Sequence, residues 1–119
     1  GLRVLPVEDV ELNRIVLEDM LVCEGAEVEF AENGQQAVNL VSRNGNYNIV
    51  LMDIQMPVMD GFEATRRIKR LAPDLPVIGL TAHVMAEQRE QCLQAGMSDH
   101  ISKPVNTEML LAAILENVE

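Results

Sequence analysis

Apolar and polar positions along this chain follow two alternating periods. Short runs of consecutive apolar residues end in a polar residue, and each run is followed by a segment whose apolar residues recur every three or four positions. The runs predict buried strands, and the longer periodic segments predict amphipathic helices. The predicted strands are residues 2–7, a short segment at Val28 and Phe30, and residues 47–53, 76–81 and 97–102.

The predicted helices are bounded by residues that commonly start or stop a helix. The first runs from about residue 11 to 24 and ends at Gly25, and the fourth runs from about 84 to 95 and ends at Gly96. N-cap signals for the other three helices are Asn33 with Gln36, Asp60 with Glu63, and Asn106. Five strand–helix units with short connections predict an α/β fold with a doubly wound parallel sheet and right-handed crossovers.

Length and charge narrow the class of protein. The 119 residues are enough for a core, so residues 1–119 are expected to form a single domain. A net charge of −10 argues against direct nucleic-acid binding, which needs a basic surface. No apolar run reaches the ~18 residues of a membrane span and no export signal is present, so we expect a cytoplasmic location. Because the chain begins with Gly1, we expect a domain excised from a longer protein.

Residues with reactive side chains stand at the ends of four predicted strands. They are Glu8 and Asp9 after the first strand, Asp53 at the end of the third, Thr81 at the end of the fourth and Lys103 after the fifth. Parallel strands bring such residues to one edge of the sheet, where open α/β sheets bind ligands. Neighbouring carboxylates repel one another, and Mg²⁺ would relieve that repulsion; solvated acids at loop starts are the alternative. A hydroxyl and an ammonium group beside them would suit phosphoryl transfer.

These residues belong to motifs that resemble the receiver domain of bacterial two-component and phosphorelay signalling. The similarity covers essentially the whole chain, and the order, spacing and strand context of the motifs agree. The matching segments are Val7-Glu8-Asp9, Asp53 with Met56-Pro57-Val58-Met59-Asp60-Gly61, Thr81-Ala82 and Lys103-Pro104. The resemblance implies a flavodoxin-like (βα)5 fold with the strand order 2-1-3-4-5.

The resemblance also implies how the acidic residues act. Asp53 is expected to be the phosphoacceptor that attacks a phosphohistidine on a partner. Asp9, Asp53 and the backbone carbonyl of Gln55 are expected to hold Mg²⁺, or Mn²⁺ in its place, while Glu8 acts mainly through water. Such a domain catalyses its own phosphorylation and dephosphorylation but is not a turnover enzyme by itself.

The other implied residues would surround the phosphoryl group. Lys103 is expected to pair with the phosphoacceptor carboxylate and then with the phosphoryl group, to which Thr81 would donate a hydrogen bond. Ala82 matches the small residue that the family prefers beside the site. Gln55 and His83 match the two variable positions that tune the lifetime of the phosphoryl group.

Three further positions complete the comparison with the family pattern. His100 stands where the family usually has Tyr or Phe, and we expect it to be the switching partner of Thr81; a half-exposed histidine without that role is the alternative. Lys103-Pro104 resembles the cis peptide of the family. Pro6 replaces an aliphatic residue in the first strand, and because proline removes a ladder hydrogen bond, a local bulge before Glu8 is expected.

The first predicted helix is apolar around much of its circumference. Eight of the twelve positions from Leu12 to Cys23 are apolar, a wider stripe than a one-sided surface helix needs. Either this helix is deeply packed, or its start, at Val10, Leu12 and Val16, docks a partner's helices beside the phosphoacceptor. The resemblance implies that the partner is the phosphohistidine domain of a histidine kinase or a histidine phosphotransfer domain.

Several functions remain open on this fold. Asn13, the loop at residues 56–61 and Lys103-Pro104-Val105 are most similar to receivers of hybrid sensor histidine kinases, whose parent would be an inner-membrane sensor with a cytoplasmic receiver. The alternatives are a stand-alone response regulator with an output domain, such as a DNA-binding one, and a degenerate receiver used only for protein contacts. A nucleotide- or flavin-binding module is disfavoured, because the acidic connection at residues 8–11 has no glycine.

Two other groups of residues are expected to have structural roles. Cys23 and Cys92 form no CxxC motif and are expected to be buried thiols in a reducing compartment. The basic run on the third helix is expected to be a solvated face, formed by Arg66, Arg67, Lys69 and Arg70.

Overall fold

Strands and helices alternate strictly along the chain in the computed structural model, which describes residues 3–43, 47–53, 61–81, 86–97, 99–102 and 107–117. The strands are β1 (Arg3–Val7), β2 (Glu27–Val28), β3 (Ile49–Asp53), β4 (Val77–Thr81) and β5 (Asp99–Ser102). The helices are α1 (Glu11–Cys23), α2 (Gly34–Arg43), α3 (Gly61–Leu71), α4 (Ala86–Ala95) and α5 (Thr107–Asn117).

The strands form one parallel sheet in the order β2-β1-β3-β4-β5, which confirms the predicted flavodoxin-like topology. Adjacent strands are in continuous register, with Asp53 opposite Leu80 and Thr81 opposite Ser102. Because all strands run in the same direction, the residues that end β3 and β4 and those that follow β1 lie at one edge of the sheet.

Some strands begin later than their apolar runs suggest. β3 begins at Ile49 rather than at residue 47, β4 at Val77 rather than 76, and β5 at Asp99 rather than 97. Before β3, Asn48 contacts Arg3 twice: its N–H donates to the Arg3 carbonyl at 2.8 Å, and its side chain accepts a hydrogen bond of 2.8 Å from the N–H of Arg3. Tyr47 and Met97 are buried although they precede β3 and β5, so a buried apolar residue next to a strand does not always belong to it.

Both faces of the sheet are covered, and alternate residues of β3 supply the two halves of the core. Val50 and Met52 belong to the cluster that packs under α2 and α3. Ile49 and Leu51 belong to the cluster that packs under α1 and α5. Every residue of β3 is buried, as expected for a central parallel strand. A polar side chain on β3 can therefore approach solvent where the strand ends, at the edge of the sheet.

Helix ends agree with the predicted caps where these are described. The Asn33 side chain accepts a hydrogen bond of 2.9 Å from the backbone N–H of Gln36, whose own side chain accepts one of 2.8 Å from the N–H of Glu32. At the end of α1, Gly25 has a φ of 85°, and the N–H of Ala26 donates to Leu21, which is the Schellman pattern. The predicted caps Asp60 and Asn106 lie outside the described residues.

The predicted bulge at Pro6 is wrong. β1 pairs with β3 without interruption, and Pro6 lies opposite Leu51. The Pro6 carbonyl accepts a hydrogen bond of 3.0 Å from the N–H of Ala31, on the side of the sheet that carries β2. A strand residue directs its N–H and C=O to the same side. The missing donor of Pro6 therefore faces the short edge strand rather than β3, and the central ladder stays intact.

Helix α1 is not deeply packed, so that alternative is wrong. Its buried residues are Leu17 and Leu21, whereas large apolar side chains on its other side are exposed. Cys23 is also exposed, which corrects the expectation of a buried thiol; the side chain of Cys92 is not among those described. None of the described helices combines the length and apolar character needed to span a membrane.

The basic run on α3 is mostly solvated, as expected. Arg66, Arg67 and Arg70 are exposed, and the first two form ion pairs with Glu63 at 3.5 and 4.0 Å. Lys69 differs from them, because it is half-buried and its Nζ donates to two backbone carbonyls that follow the helix.

Candidate functional site: an acidic cluster at the carboxyl edge of the sheet

Three carboxylates from two neighbouring strands meet at the carboxyl edge of the sheet. Glu8 and Asp9 follow β1, and Asp53 is the last residue of β3, which pairs directly with β1. Each of the three offers a carboxylate oxygen, and these oxygens all lie within 4.8 Å of one another. The predicted convergence is therefore confirmed for Glu8, Asp9 and Asp53.

The three acids differ in their access to solvent. Glu8 and Asp53 retain 1% and 3% of their accessible surface, whereas Asp9 is exposed. The buried pair lies against the end of an apolar sheet, where a charge needs compensating contacts. Asp9 leaves the cluster open on one side, so a small ion or a phosphoryl oxygen can reach it from solvent.

Backbone and side-chain contacts hold Glu8 in place. Its N–H donates to the carbonyl of Ala31 at 3.1 Å, which continues the contacts of β1 with the segment after β2. Its carboxylate Oε1 accepts a hydrogen bond of 3.2 Å from the N–H of Val10, and its carbonyl accepts one of 2.9 Å from Nη1 of Arg14. Sequence reasoning did not identify Arg14, because a side-chain contact with a backbone carbonyl leaves no motif in the sequence.

The positions of Thr81 and His100 follow from the register of β4 and β5. Thr81 ends β4, one residue beyond the level at which Asp53 pairs with Leu80. His100 lies opposite Gly79 and is half-buried. Because Gly79 and Thr81 are two residues apart on one strand, positions 81 and 100 share a face of the sheet. The switching role of this pair stays a prediction.

The remaining predicted site residues lie outside the described residues. They are Gln55, Ala82, His83, Lys103 and Pro104. Their roles therefore stay predictions that rest on the resemblance.

The acidic cluster has the donor chemistry of a Mg²⁺ site. Magnesium prefers oxygen ligands, uses one or two carboxylates and keeps several waters. Two buried carboxylates supply fixed oxygens, and the exposed Asp9 leaves room for water on the open side. Thiols and imidazoles, which favour other metals, are absent from the described cluster. The residues present therefore fit this ion.

Comparison with known families agrees with this geometry. The family model of the response regulator receiver domain matches residues 4–115. The chain belongs to this receiver family. Receiver domains act in two-component and phosphorelay signalling, and the position of the acidic cluster at the carboxyl edge is consistent with that membership.

The relatives of this receiver domain include much longer proteins. The sensor histidine kinase RcsC of Salmonella typhimurium is 41% identical over 120 residues, which cover 98% of this chain but 13% of that protein. The chain thus spans about one eighth of the length of this relative. The similarity concerns one domain of the longer protein.

Solved structures share both the fold and parts of the sequence of this receiver domain. The receiver domain of the sensor histidine kinase PA1611 from Pseudomonas aeruginosa has a TM-score of 0.91 and 39% identity, with 98% of this chain and 97% of that chain covered; it has magnesium coordinated in its active-site cleft. The receiver domain of Ssk1 from Saccharomyces cerevisiae, crystallised with the histidine phosphotransfer protein Ypd1, has a TM-score of 0.92 and 29% identity, with 99% and 89% covered.

Proposed function

We propose that this receiver domain accepts a phosphoryl group on Asp53 from a phosphohistidine, in a Mg²⁺-dependent step of a phosphorelay. The observation that carries the proposal is the position of the Asp53 carboxylate. It is buried at the end of a central strand, and its oxygen lies within 4.8 Å of those of Glu8 and Asp9. A fixed carboxylate beside a place for a divalent ion is suited to attack on phosphorus.

In the proposed reaction, an oxygen of Asp53 forms a bond to phosphorus while the bond from phosphorus to the partner's imidazole nitrogen breaks. Asp9, Asp53 and the backbone carbonyl of Gln55 would hold Mg²⁺, or Mn²⁺ in its place, and Glu8 would act through water. When bound, the ion supplies positive charge to the phosphoryl oxygens. Lys103 would supply a second positive charge on the same oxygens.

The resemblance assigns the switch to residues on the next strands. Thr81 would donate a hydrogen bond to the phosphoryl group, and His100 would change its rotamer as Thr81 moves. The register supports this pairing, because His100 lies opposite Gly79 and position 81 follows two residues later on the same face of the sheet. Ala82 would leave space beside the phosphoryl group, while Gln55 and His83 would set its lifetime.

We further propose that residues 1–119 are the receiver of a hybrid sensor histidine kinase and lie on the cytoplasmic side of the membrane. The donor would be the phosphohistidine domain of such a kinase, and the phosphoryl group would pass on to a histidine phosphotransfer domain. The similarity to RcsC and to the receiver crystallised with Ypd1 supports this assignment. The start of α1 would dock the partner, since Val10, Leu12 and Val16 are exposed by 47%, 68% and 44%.

Intact mass spectrometry tests the phosphoacceptor. With Mg²⁺ and a small acyl phosphate, the wild-type domain should gain one phosphoryl group, and Asp53→Asn should gain none because the attacking oxygen is replaced by an amide. Asp74→Asn is the matched control, since Asp74 is exposed in the turn before β4, at the opposite edge of the sheet. Phosphorylation of Asp53→Asn would contradict the assignment. No gain in the wild type from either the acyl phosphate or a phosphohistidine protein would favour a degenerate receiver.

A further inference from the structure

Arg14 links helix α1 to the connection that carries the acid pair. Its Nη1 donates a hydrogen bond of 2.9 Å to the backbone carbonyl of Glu8, six residues earlier. Arg14 is half-buried, so this contact is partly shielded from water. A hydrogen bond from a charged donor is stronger than a neutral one, and the planar guanidinium holds its direction. The carbonyl belongs to the peptide unit that joins Glu8 to Asp9, so the bond acts directly on the acid pair.

Two further hydrogen bonds connect the same segment to the start of α1. The N–H of Val10 donates to the Glu8 carboxylate at 3.2 Å, and the N–H of Arg14 donates to the Val10 carbonyl at 3.0 Å. Val10 is the N-cap of α1, has an extended backbone and makes no side-chain cap. The valine side chain has no polar group with which to cap the helix. The carboxylate that accepts a backbone N–H at this end of α1 is that of Glu8.

We propose that Arg14 is a positioning residue for the metal site. Its hydrogen bond to the peptide unit between Glu8 and Asp9 holds the Asp9 carboxylate where it would share an ion with Asp53, and holds the Glu8 carboxylate beside them. Arg14 touches neither the ion nor the phosphoryl group in this role. The inference rests on the proposed function, because it concerns the same site, but it assigns a task to a residue on α1 that lies outside the acid cluster.

The sign of the effect separates positioning from simple electrostatics. If Arg14 acted only through its charge, its removal would strengthen Mg²⁺ binding, because the positive guanidinium repels the ion. If Arg14 positions the acid pair, its removal weakens Mg²⁺ binding, because part of the binding free energy is then spent on ordering the connection between β1 and α1. The two roles therefore predict opposite changes for one substitution.

The test uses Arg14→Met and Arg14→Lys, with Arg3→Met as the matched control. Arg3 is also half-buried and hydrogen-bonded, to Glu29, but it lies at the opposite edge of the sheet. The control removes the same charge and weakens the fold without touching the acid pair. Titration calorimetry should show Mg²⁺ binding weakened roughly three- to tenfold by Arg14→Met, which is less than the full free energy of one charged hydrogen bond because only part of that bond is coupled to the ion. The Mg²⁺ affinity of Arg14→Lys should fall between those of Arg14→Met and the wild type, because lysine keeps the charge and can still donate a hydrogen bond but lacks the rigid fork of arginine.

Amide hydrogen exchange on the metal-free protein supplies an independent measurement. In Arg14→Met, the amide of Val10 should exchange roughly three- to tenfold faster than in the wild type, because its partner Glu8 is less well fixed. The amide of Leu110, in α5, should be unchanged. Arg3→Met should leave the Val10 amide and Mg²⁺ affinity as in the wild type.

Each outcome decides the proposal. Weaker Mg²⁺ binding together with faster exchange at Val10 supports it, whereas unchanged or tighter binding in Arg14→Met, or unchanged exchange at Val10, overturns it. If Arg14→Met fails to fold, the same two measurements on Arg14→Lys decide, with affinity equal to that of the wild type counting against positioning. A wild-type domain that binds no Mg²⁺ would refute the proposed function itself, while wild-type binding that Arg14 variants share would refute only the role of Arg14.

Discussion

At the scale of single residues, the site depends on unequal exposure of three acids. Glu8 and Asp53 are almost completely buried, and Asp9 is exposed. Burial restricts both of these side chains, and the Glu8 carboxylate also accepts a hydrogen bond from the N–H of Val10. Asp9 is the acid of the cluster that is exposed to solvent. A substitution at Asp9 can therefore distinguish direct coordination of the ion from a general effect of negative charge.

Replacing Asp9 with asparagine should weaken Mg²⁺ binding strongly. The substitution removes a charged ligand from the cluster, and we expect a loss greater than the roughly 10- to 100-fold that follows removal of an outer-shell partner. Titration calorimetry would measure it. Glu11→Gln is the control. Glu11 is an exposed acid two residues away, in the first turn of α1, and the substitution removes the same charge as Asp9→Asn. Equal losses in the two variants would mean that Asp9 contributes only long-range charge.

At the scale of elements, helix α1 has two different apolar faces. Leu17 and Leu21 pack into the core, whereas Leu12, Ile15 and Val22 are exposed by 68%, 54% and 53%. Exposed apolar side chains that cluster on one surface commonly mark a contact with a partner. The end of this helix nearest Asp53 is its start, which agrees with the proposed docking of a phosphohistidine partner there.

Leu12→Glu should slow phosphotransfer from a phosphohistidine partner by roughly tenfold or more, because a charge would have to be buried in the contact. Phosphorylation by a small acyl phosphate, which needs no docking, should be unchanged. The matched control is Leu115→Glu, because Leu115 is a leucine of similar exposure, 72%, on α5. A similar slowing in the control, or equal loss with the small donor, would argue against docking at the start of α1.

Two glycines that follow helices α1 and α4 differ in the space around them. Gly25 and Gly96 have φ values of 85° and 103°, which residues with a Cβ atom rarely adopt. A Cβ at Gly25 would meet no atom within 4 Å, whereas at Gly96 it would lie 3.1 Å from Cγ of Lys69. The Nζ of Lys69 is tied to the carbonyls of Pro73 and Leu75, so its stem yields less readily.

Gly25→Ala should therefore lower the free energy of unfolding by about 1 kcal/mol, from backbone strain alone. Gly96→Ala should cost about 2 kcal/mol, since a steric clash adds to the strain. Denaturant unfolding would measure both values. Gly25→Asn should cost less than Gly25→Ala, because asparagine tolerates this conformation. Equal costs at the two glycines would contradict the role given to Lys69.

At the scale of the whole molecule, the apolar core and the acidic cluster occupy different parts of the sheet. Apolar residues fill both faces, while Glu8, Asp9 and Asp53 meet at the carboxyl edge, in a chain of net charge −10. Like charges held together by the fold oppose folding, and an ion that binds only the folded state offsets that cost.

Mg²⁺ should therefore stabilise the domain. At a free concentration of about 100 times its Kd, the free energy of unfolding should rise by about 2.7 kcal/mol, which corresponds to about 10 °C in Tm. Differential scanning calorimetry would measure the shift, with NaCl at equal ionic strength as the control for screening. Asp9→Asn at the same Mg²⁺ concentration should show a much smaller shift. A shift that NaCl reproduces fully would argue against a specific site.

Much of this architecture was predictable because it follows from local periods. The apolar run before Asp53 and the cap at Asn33 each depend on residues within a few positions of one another. Parallel strands then imply that Glu8, Asp9 and Asp53 converge, which the distances confirm. The tolerance of Pro6 was not predictable, because it depends on which neighbouring strand its missing donor faces.

Local patterns along the chain were enough to predict the order of elements, the cap at Asn33 and the acids at the strand ends, since these depend on side-chain spacing and on backbone preferences within each segment. Three features became known only from the folded chain: which face of α1 is buried, that Cys23 is exposed, and that Arg14 reaches the Glu8 carbonyl. Burial depends on packing between segments that are distant in the chain, and the contact of Arg14 depends on the path of the connection from β1 to α1; neither leaves a local period in the sequence.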